Sequence, residues 1–165
     1  ELARSGRHHV TGLDISRTMV DIARENARRE GVTVDFRLGD ATDLPFDADS
    51  FDLIVCQAAF KNFRRPAAAI AEMYRVLRVG GTAVIEDLCQ DATVADIDAE
   101  VASMGQGPVN AAMTKVALIG LRRRAYSPAR FQQLVADSPF RTCEIHREGV
   151  GMSVRMTKRP ADEAG

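Results

Sequence analysis

The sequence predicts an α/β fold built on a doubly wound, mostly parallel sheet. Short apolar runs alternate with amphipathic segments between residues 11 and 87, as strands and helices do in such folds. An acidic residue follows two of the strand-like runs, Asp14 directly and Asp40 after one glycine. Near the end of the chain, strand-like segments at 142–146 and 152–157 are separated by glycines, which predicts a C-terminal antiparallel hairpin.

Composition favours one globular domain. The chain has 165 residues, of which 45% are hydrophobic and 27% charged. We predict a single domain over residues 1–158 and a frayed polar tail over 159–165. The net charge of -1 predicts no long-range attraction to nucleic acid or to an anionic membrane. The arginine run 122–124 is interpreted as a solvated helix end, and no apolar stretch is long enough to predict a membrane span.

The cysteines and histidines predict neither a disulfide framework nor a metal site. The three cysteines are odd in number and widely spaced. Cys56 lies in an apolar run, so we expect a reduced core residue and a cytoplasmic location. The histidines show no catalytic or metal-binding spacing and are interpreted as structural or surface residues: His8, His9 and His146.

In the first half of the chain, residues 9–13 predict a strand, and Ser16 predicts the cap of a helix that runs to about Arg29. Alternating side chains over 32–38 predict a half-exposed strand. The continuous apolar run 53–56 instead predicts a strand that is buried on both faces.

In the second half, apolar residues spaced by three and four positions between Ile70 and Leu77 predict an amphipathic helix that ends at Gly80–Gly81. Residues 82–85 predict the next buried strand. The segment 91–121 is less regular, with a loop at 105–108. Ser127 followed by Pro128 predicts the start of a further helix.

Polar residues at the predicted strand ends are the candidates for chemistry. Parallel sheets bind ligands at the carboxyl ends of their strands. Asp14 there suits the hydroxyls of a ribose, and Asp40 with the Ala41 backbone N–H suits the edge of an adenine. Each aspartate also has a local explanation, as a helix N-terminal charge and as a turn residue. Gln57 and Asp87 end two further strands and are either site residues or polar strand termini.

These motifs together resemble the class I S-adenosylmethionine-dependent methyltransferases, especially the small-molecule branch of ubiquinone and menaquinone biosynthesis. The resemblance covers about half of the chain closely. The segments that carry it occur in the family's order: 12–16 (Gly-Leu-Asp-Ile-Ser), 38–41 (Leu-Gly-Asp-Ala), 44–46 (Leu-Pro-Phe), 50–55 (Ser-Phe-Asp-Leu-Ile-Val) and 75–81 (Arg-Val-Leu-Arg-Val-Gly-Gly).

The resemblance implies a Rossmann-like sheet of seven strands in the order 3-2-1-4-5-7-6, and S-adenosylmethionine as the cofactor. It implies that residues 91–121 cover a small-molecule methyl acceptor, with no catalytic base that we can name. The cofactor-binding residues that it implies are Asp14, Ile15, Asp40, Ala41, Gln57 and Ala58.

One departure from the family concerns the first, central strand and its Gly-x-Gly-x-Gly loop, which are apparently missing because they would precede Glu1. We expect one of three arrangements. The native chain is longer, another chain supplies the strand (a homo-oligomer is one source), or the two neighbouring strands pair directly in a contracted sheet.

The predicted function is therefore methyl transfer from S-adenosylmethionine to a small molecule. Two alternatives stay open at the level of sequence. A non-catalytic, methyltransferase-like partner subunit would explain a missing glycine loop. An NAD-binding enzyme would also place an acidic residue after its second strand.

Overall fold

The computed structural model describes residues 2–160 and has the predicted α/β architecture. Glu1 and residues 161–165, which belong to the predicted tail, lie outside the described residues. The strands are β1 (Thr11–Asp14), β2 (Asp35–Leu38), β3 (Phe51–Gln57), β4 (Leu77–Leu88), β5 (Glu144–Glu148) and β6 (Gly151–Thr157). The helices are α1 (Arg17–Arg29), α2 (Pro66–Val76), α3 (Val94–Ser103), α4 (Pro108–Arg122) and α5 (Pro128–Ala136).

The chain divides into two compact units, one ending at Phe46 and the other beginning at Asp47. The first unit contains β1, α1 and β2, and the second contains the remaining strands and helices. The single domain predicted for residues 1–158 stays a prediction.

In the first unit, β1 and β2 are parallel neighbours, with Thr11 opposite Asp35 and Asp14 opposite Leu38. The ring of Phe36 lies over β1 at Gly12, its partner in the register, because glycine has no side chain. A Cβ added at Gly12 would lie 2.7 Å from the ring of Phe36. The predicted cap of α1 is confirmed, since the Ser16 hydroxyl accepts a hydrogen bond from the backbone N–H of Met19.

In the second unit, four strands form a sheet in the order β3-β4-β6-β5. The β3–β4 pair is parallel, whereas β4–β6 and β6–β5 are antiparallel, so the predicted C-terminal hairpin is confirmed. Strands β3, β4, β6 and β5 thus correspond to strands 4, 5, 7 and 6 of the seven-stranded sheet that the resemblance implies. In the described residues, β1 and β3 belong to different sheets. The expectation that these two strands pair directly in a contracted sheet is therefore wrong.

The predicted burial of β3 on both faces is wrong. Side chains alternate along a strand. Ile54 and Cys56 pack against the core of the second unit, whereas Leu53 and Val55 on the opposite face are 44% and 50% exposed. The continuous apolar run therefore predicts the strand correctly, but it does not predict which of the two faces is buried.

The predicted end of α2 at Gly80–Gly81 is also wrong, since the helix ends at Val76. Leu77 already belongs to β4, where it lies opposite Phe51. Its side chain is fully buried in this strand. A buried position at helical spacing therefore does not distinguish the last turn of the helix from the first residue of the strand that follows.

The core of the second unit lies between its sheet and helices α2 and α5. Three aromatic rings meet there, with ring centroids 5.0 Å apart for Phe60 and Phe131 and 5.5 Å apart for Phe60 and Tyr126. The predicted helix start at Ser127 is confirmed, because its hydroxyl accepts from the N–H of Arg130. This cap fixes the helix that carries Phe131 into the core.

The irregular segment after β4 forms helices α3 and α4, joined by a loop at the predicted position. Thr93 and Asp96 form a capping box at the start of α3. The outward side of α4 is apolar, with Val109, Met113 and Val116 each about 70% exposed. Within residues 2–160, none of the helices combines the length and the hydrophobicity that crossing a bilayer requires.

Candidate functional site

Asp14 is the last residue of β1, and its side chain is exposed at the end of the strand. Its Oδ1 accepts a hydrogen bond of 2.7 Å from the backbone N–H of Ser16. This local bond fixes the carboxylate at the entrance to α1. The following residue, Ile15, is an apolar side chain that is 74% exposed. The strand end therefore presents an acceptor and an apolar surface side by side.

Asp40 follows β2 in a similar way. Its Oδ1 accepts a hydrogen bond of 2.9 Å from the backbone N–H of Thr42. Gly39, which precedes it, is closely packed, since an added Cβ would lie 2.8 Å from Cδ1 of Leu13. Ala41, which follows, is half-buried in the turn. A small residue before Asp40 thus lets the chain turn close to β1.

The structure brings the two predicted aspartates to the same edge of one sheet. β1 and β2 run parallel, with Asp14 opposite Leu38, and the N–H of Gly39 donates to the carbonyl of Asp14. Asp40 is two residues beyond Leu38. Carboxylates at this edge accept hydrogen bonds from hydroxyl and amine groups, and Ile15 and the half-exposed Leu38 offer apolar contact for a planar ring.

In the second unit, the predicted residues Gln57 and Ala58 lie at the end of β3, and both are exposed. The Gln57 side-chain amide donates to the carboxylate of Glu86, 3.1 Å away, at the end of β4. Ala58 has a φ of 54°, in the left-handed region that a residue with a Cβ rarely adopts. Its N–H donates to the carbonyl of Glu86 over 2.7 Å.

Sequence reasoning missed a buried ion pair beside this turn. The Lys61 ammonium and the Asp87 carboxylate are 2.8 Å apart, and their side chains are only 8% and 5% exposed. Asp87 was recognised as a strand end, but its partner precedes it by 26 residues. The available signal was Lys61 itself, which is the one charged residue in the segment 57–63 after an apolar strand.

Cys56 lies under the same turn and has no properties of a reactive thiol. Burial first, and then the charge of Asp87, raise its pKa to about 11, although the charge of Lys61 acts in the opposite direction. A thiol with such a pKa stays protonated at neutral pH and is a weak nucleophile. Cys56 is therefore interpreted as a packing residue, although it is half-buried rather than fully buried as expected.

The remaining candidates have simple environments. The histidine side chains at positions 8, 9 and 146 are exposed, as a surface assignment predicts. Over residues 2–160, no group of three or more histidine, cysteine, aspartate or glutamate side chains is arranged to hold a metal ion.

Comparison with known proteins adds three findings. Residues 1–85 match a family described as a methyltransferase domain. The chain is 41% identical over 85 residues to the ubiquinone/menaquinone biosynthesis C-methyltransferase of Rhizobium meliloti. The aligned region covers 50% of this chain and 33% of that protein. It is 37% identical over 82 residues to the demethylmenaquinone methyltransferase of Deinococcus radiodurans, covering 50% and 34%. The chain thus spans about a third of the length of these curated relatives.

Among solved structures, the chain resembles a SAM-dependent methyltransferase from Aquifex aeolicus. The TM-score is 0.65 at 17% identity, and the match covers 91% of this chain and 69% of the other. At this level of identity the similarity concerns the fold alone. It agrees with the mixed α/β architecture described above.

Proposed function

Because the chain belongs to the methyltransferase domain family, we propose that it takes part in methyl transfer from S-adenosylmethionine to a small-molecule acceptor. One observation carries the proposal. Two exposed carboxylates, Asp14 and Asp40, follow neighbouring parallel strands at the same edge of a sheet. Their placement at one edge suits carboxylates that bind the ribose and the adenine of one adenosine.

The donor set of the first unit fits such a cofactor. In the proposal, Asp14 accepts hydrogen bonds from the ribose hydroxyls, and Asp40 accepts from the exocyclic amine of the adenine. The Ala41 N–H donates to a ring nitrogen. Ile15, whose side chain is 74% exposed, covers a face of the purine. Burying such an apolar side chain against the ligand contributes a favourable hydrophobic term.

Gln57 and Ala58 are proposed to contact the methionine part of the cofactor. Both are exposed at the end of β3, and Ala58 is held in an unusual backbone conformation. Strained backbone that the surrounding structure maintains is often found at functional sites. This supports a binding role for the turn.

The cofactor supplies a methyl group that is already activated on a sulfonium. The protein residues would mainly bind and orient the reactants and exclude water. Alignment is therefore the main requirement, and an acceptor that is an acidic carbon or a phenol would in addition need a base to take the proton that it loses. The exposed apolar side of α4, with Val109, Met113 and Val116, is a candidate surface for an apolar acceptor.

The names of the relatives suggest the first acceptors to test, which are the quinone precursors methylated in ubiquinone and menaquinone biosynthesis. A cytoplasmic location and assembly into a homo-oligomer stay predictions.

The test is a pair of calorimetric titrations, one with S-adenosylhomocysteine and one with NAD. The protein titrated is the product of the complete reading frame that encodes this chain. We expect saturable binding of S-adenosylhomocysteine and none of NAD. Binding of NAD but not of S-adenosylhomocysteine would favour the dinucleotide enzyme. Binding of S-adenosylhomocysteine without turnover of any tested acceptor would favour a non-catalytic subunit.

A further inference from the structure

The Lys61–Asp87 ion pair joins two segments that end at the same edge of the second sheet. Asp87 lies in β4, and Lys61 lies in the turn that follows β3. The two side chains are 8% and 5% exposed, with Nζ and Oδ1 2.8 Å apart. Burial removes solvent screening, so this pair interacts more strongly than a surface pair at the same distance.

Most hydrogen bonds of the pair hold the turn against the end of β4. The Asp87 Oδ2 accepts from the backbone N–H of Lys61 over 2.9 Å, and its Oδ1 also accepts from the N–H of Leu88 over 2.8 Å. The Lys61 ammonium donates in addition to the carbonyl of Ala58. One carboxylate thus holds both the backbone and the side chain of Lys61.

These contacts act on the residue with the strained backbone. The N–H of Ala58 is bound to the carbonyl of Glu86, and the carbonyl of Ala58 is bound to the Lys61 ammonium. A φ of 54° is disfavoured for alanine, so it persists only where surrounding bonds maintain it. Both polar groups of Ala58 are therefore fastened, directly or through Lys61, to the end of β4.

We propose that Lys61 and Asp87 are positioning residues that hold Gln57 and Ala58 in the conformation that binds the methionine part of the cofactor. This inference rests on the proposed function, because the cofactor defines what the turn is positioned for. Stability alone is a weak explanation, since replacing a buried ion pair with apolar side chains is often neutral or stabilising. The pair instead specifies one conformation of the turn.

The test compares Asp87→Asn with Asp49→Asn. Asp49 is the control because its carboxylate also accepts from a buried lysine ammonium, that of Lys158, over 2.8 Å, although the Asp49 side chain is 58% exposed where that of Asp87 is 5% exposed. We expect Asp87→Asn to weaken S-adenosylhomocysteine binding by about tenfold, the scale of one lost charge-assisted hydrogen bond. Asp49→Asn should bind as the wild type does.

A second measurement needs no ligand. Hydrogen exchange of the Ala58 and Lys61 amides should be faster in Asp87→Asn than in the wild type, at equal global stability. Asp49→Asn should leave both amides unchanged. Wild-type binding and wild-type exchange in Asp87→Asn would overturn the inference.

If Asp87→Asn does not fold, the double variant Lys61→Met/Asp87→Leu replaces it, since it removes both charges together. It should fold, with weak binding and fast exchange at Ala58, whereas retention of both wild-type properties would overturn the inference. Absence of ligand binding by the wild type would contradict the proposed function instead. The exchange comparison would still decide whether the ion pair fixes the turn.

Discussion

The two units use a carboxylate at a strand end in opposite ways. In the first unit, Asp14 and Asp40 are exposed and are steadied by backbone N–H groups of their own turns. In the second unit, Asp87 is almost fully buried and binds the Lys61 ammonium. Similar positions in a parallel sheet can thus present a charge to a ligand or fasten a neighbouring turn. Burial distinguishes the two uses, and sequence position does not.

The units also differ in how much core they contain. Among the described residues up to Phe46, Val20 is the one buried hydrophobic side chain, whereas the second unit has an extensive aromatic and aliphatic cluster. Apolar side chains of the first unit are instead exposed around its strand ends and α1, as for Ile15 and Met19. Stability is therefore concentrated in the second unit.

The largest expected effect is on this core. Phe60→Ala removes a side chain that is fully buried and contacts three other aromatic rings. We expect a loss of about 3–5 kcal/mol in the free energy of unfolding, measured by chemical denaturation. Val79→Ala is the control, because Val79 is 58% exposed. Its loss should stay within about 0.5 kcal/mol. Equal losses for the two variants would contradict the concentration of stability in this cluster.

The next effect concerns the exposed carboxylates. Asp14→Ala should weaken S-adenosylhomocysteine binding by about 1–3 kcal/mol, the scale of lost hydrogen bonds at a charged group. Calorimetry measures the change. Asp21→Ala is the control, because Asp21 is also exposed in the first unit. Within residues 2–160, the ion pair that Asp21 forms is with Arg24, on the same helix. An unchanged affinity in Asp14→Ala would remove Asp14 from the binding site.

Smaller effects are expected at two helix caps, one in each unit. Ser16→Ala and Ser127→Ala each remove a side-chain acceptor for a first-turn N–H. Each should reduce the free energy of unfolding by about 1 kcal/mol. The corresponding glycine variants should lose less, because glycine is tolerated at this position. Alanine variants as stable as the wild type would show that the caps contribute nothing measurable.

The smallest effect is a pH dependence at α3. Hydrogen bonds from the backbone N–H and then from the hydroxyl of Thr93 lower the pKa of Asp96. Because the folded pKa is depressed, the stabilisation is complete above the unfolded value of about 3.9. It is lost as pH falls through the folded pKa. NMR titration of the Asp96 carboxyl should show the lowered pKa in the wild type and in Thr93→Ser. Thr93→Ala keeps the backbone N–H and removes the hydroxyl, so an unchanged Asp96 pKa in that variant would contradict the contribution of the hydroxyl.

Much of the fold was predictable because local signals agreed. Ser16 and Ser127 carry cap chemistry, and both helices begin where these residues predict. Errors arose where burial depends on distant partners. Leu53 and Val55 are as apolar as Ile54, but nothing in their sequence states which face the core covers. Likewise, Leu77 is buried whether it ends a helix or begins a strand.

The candidate site was predictable in part for the same reason. Asp14 ends β1 and Asp40 lies two residues beyond β2, so their common edge could be inferred from the parallel arrangement. The Lys61–Asp87 pair was not found, because its formation depends on the pairing of β3 with β4 and on the turn between them. The left-handed backbone of Ala58 could not be predicted either, because a positive φ is expected at glycine and not at alanine.

The order of the four-stranded sheet has a consequence for how the protein emerges from the ribosome. β4 pairs on one side with β3, which is made earlier, and on the other with β6, which is made near the end of synthesis. Until β6 arrives, a nascent chain presents an unpaired edge of a strand whose centre is strongly apolar. Such edges recruit other chains, so premature termination before residue 151 should yield products that aggregate and depend on chaperones.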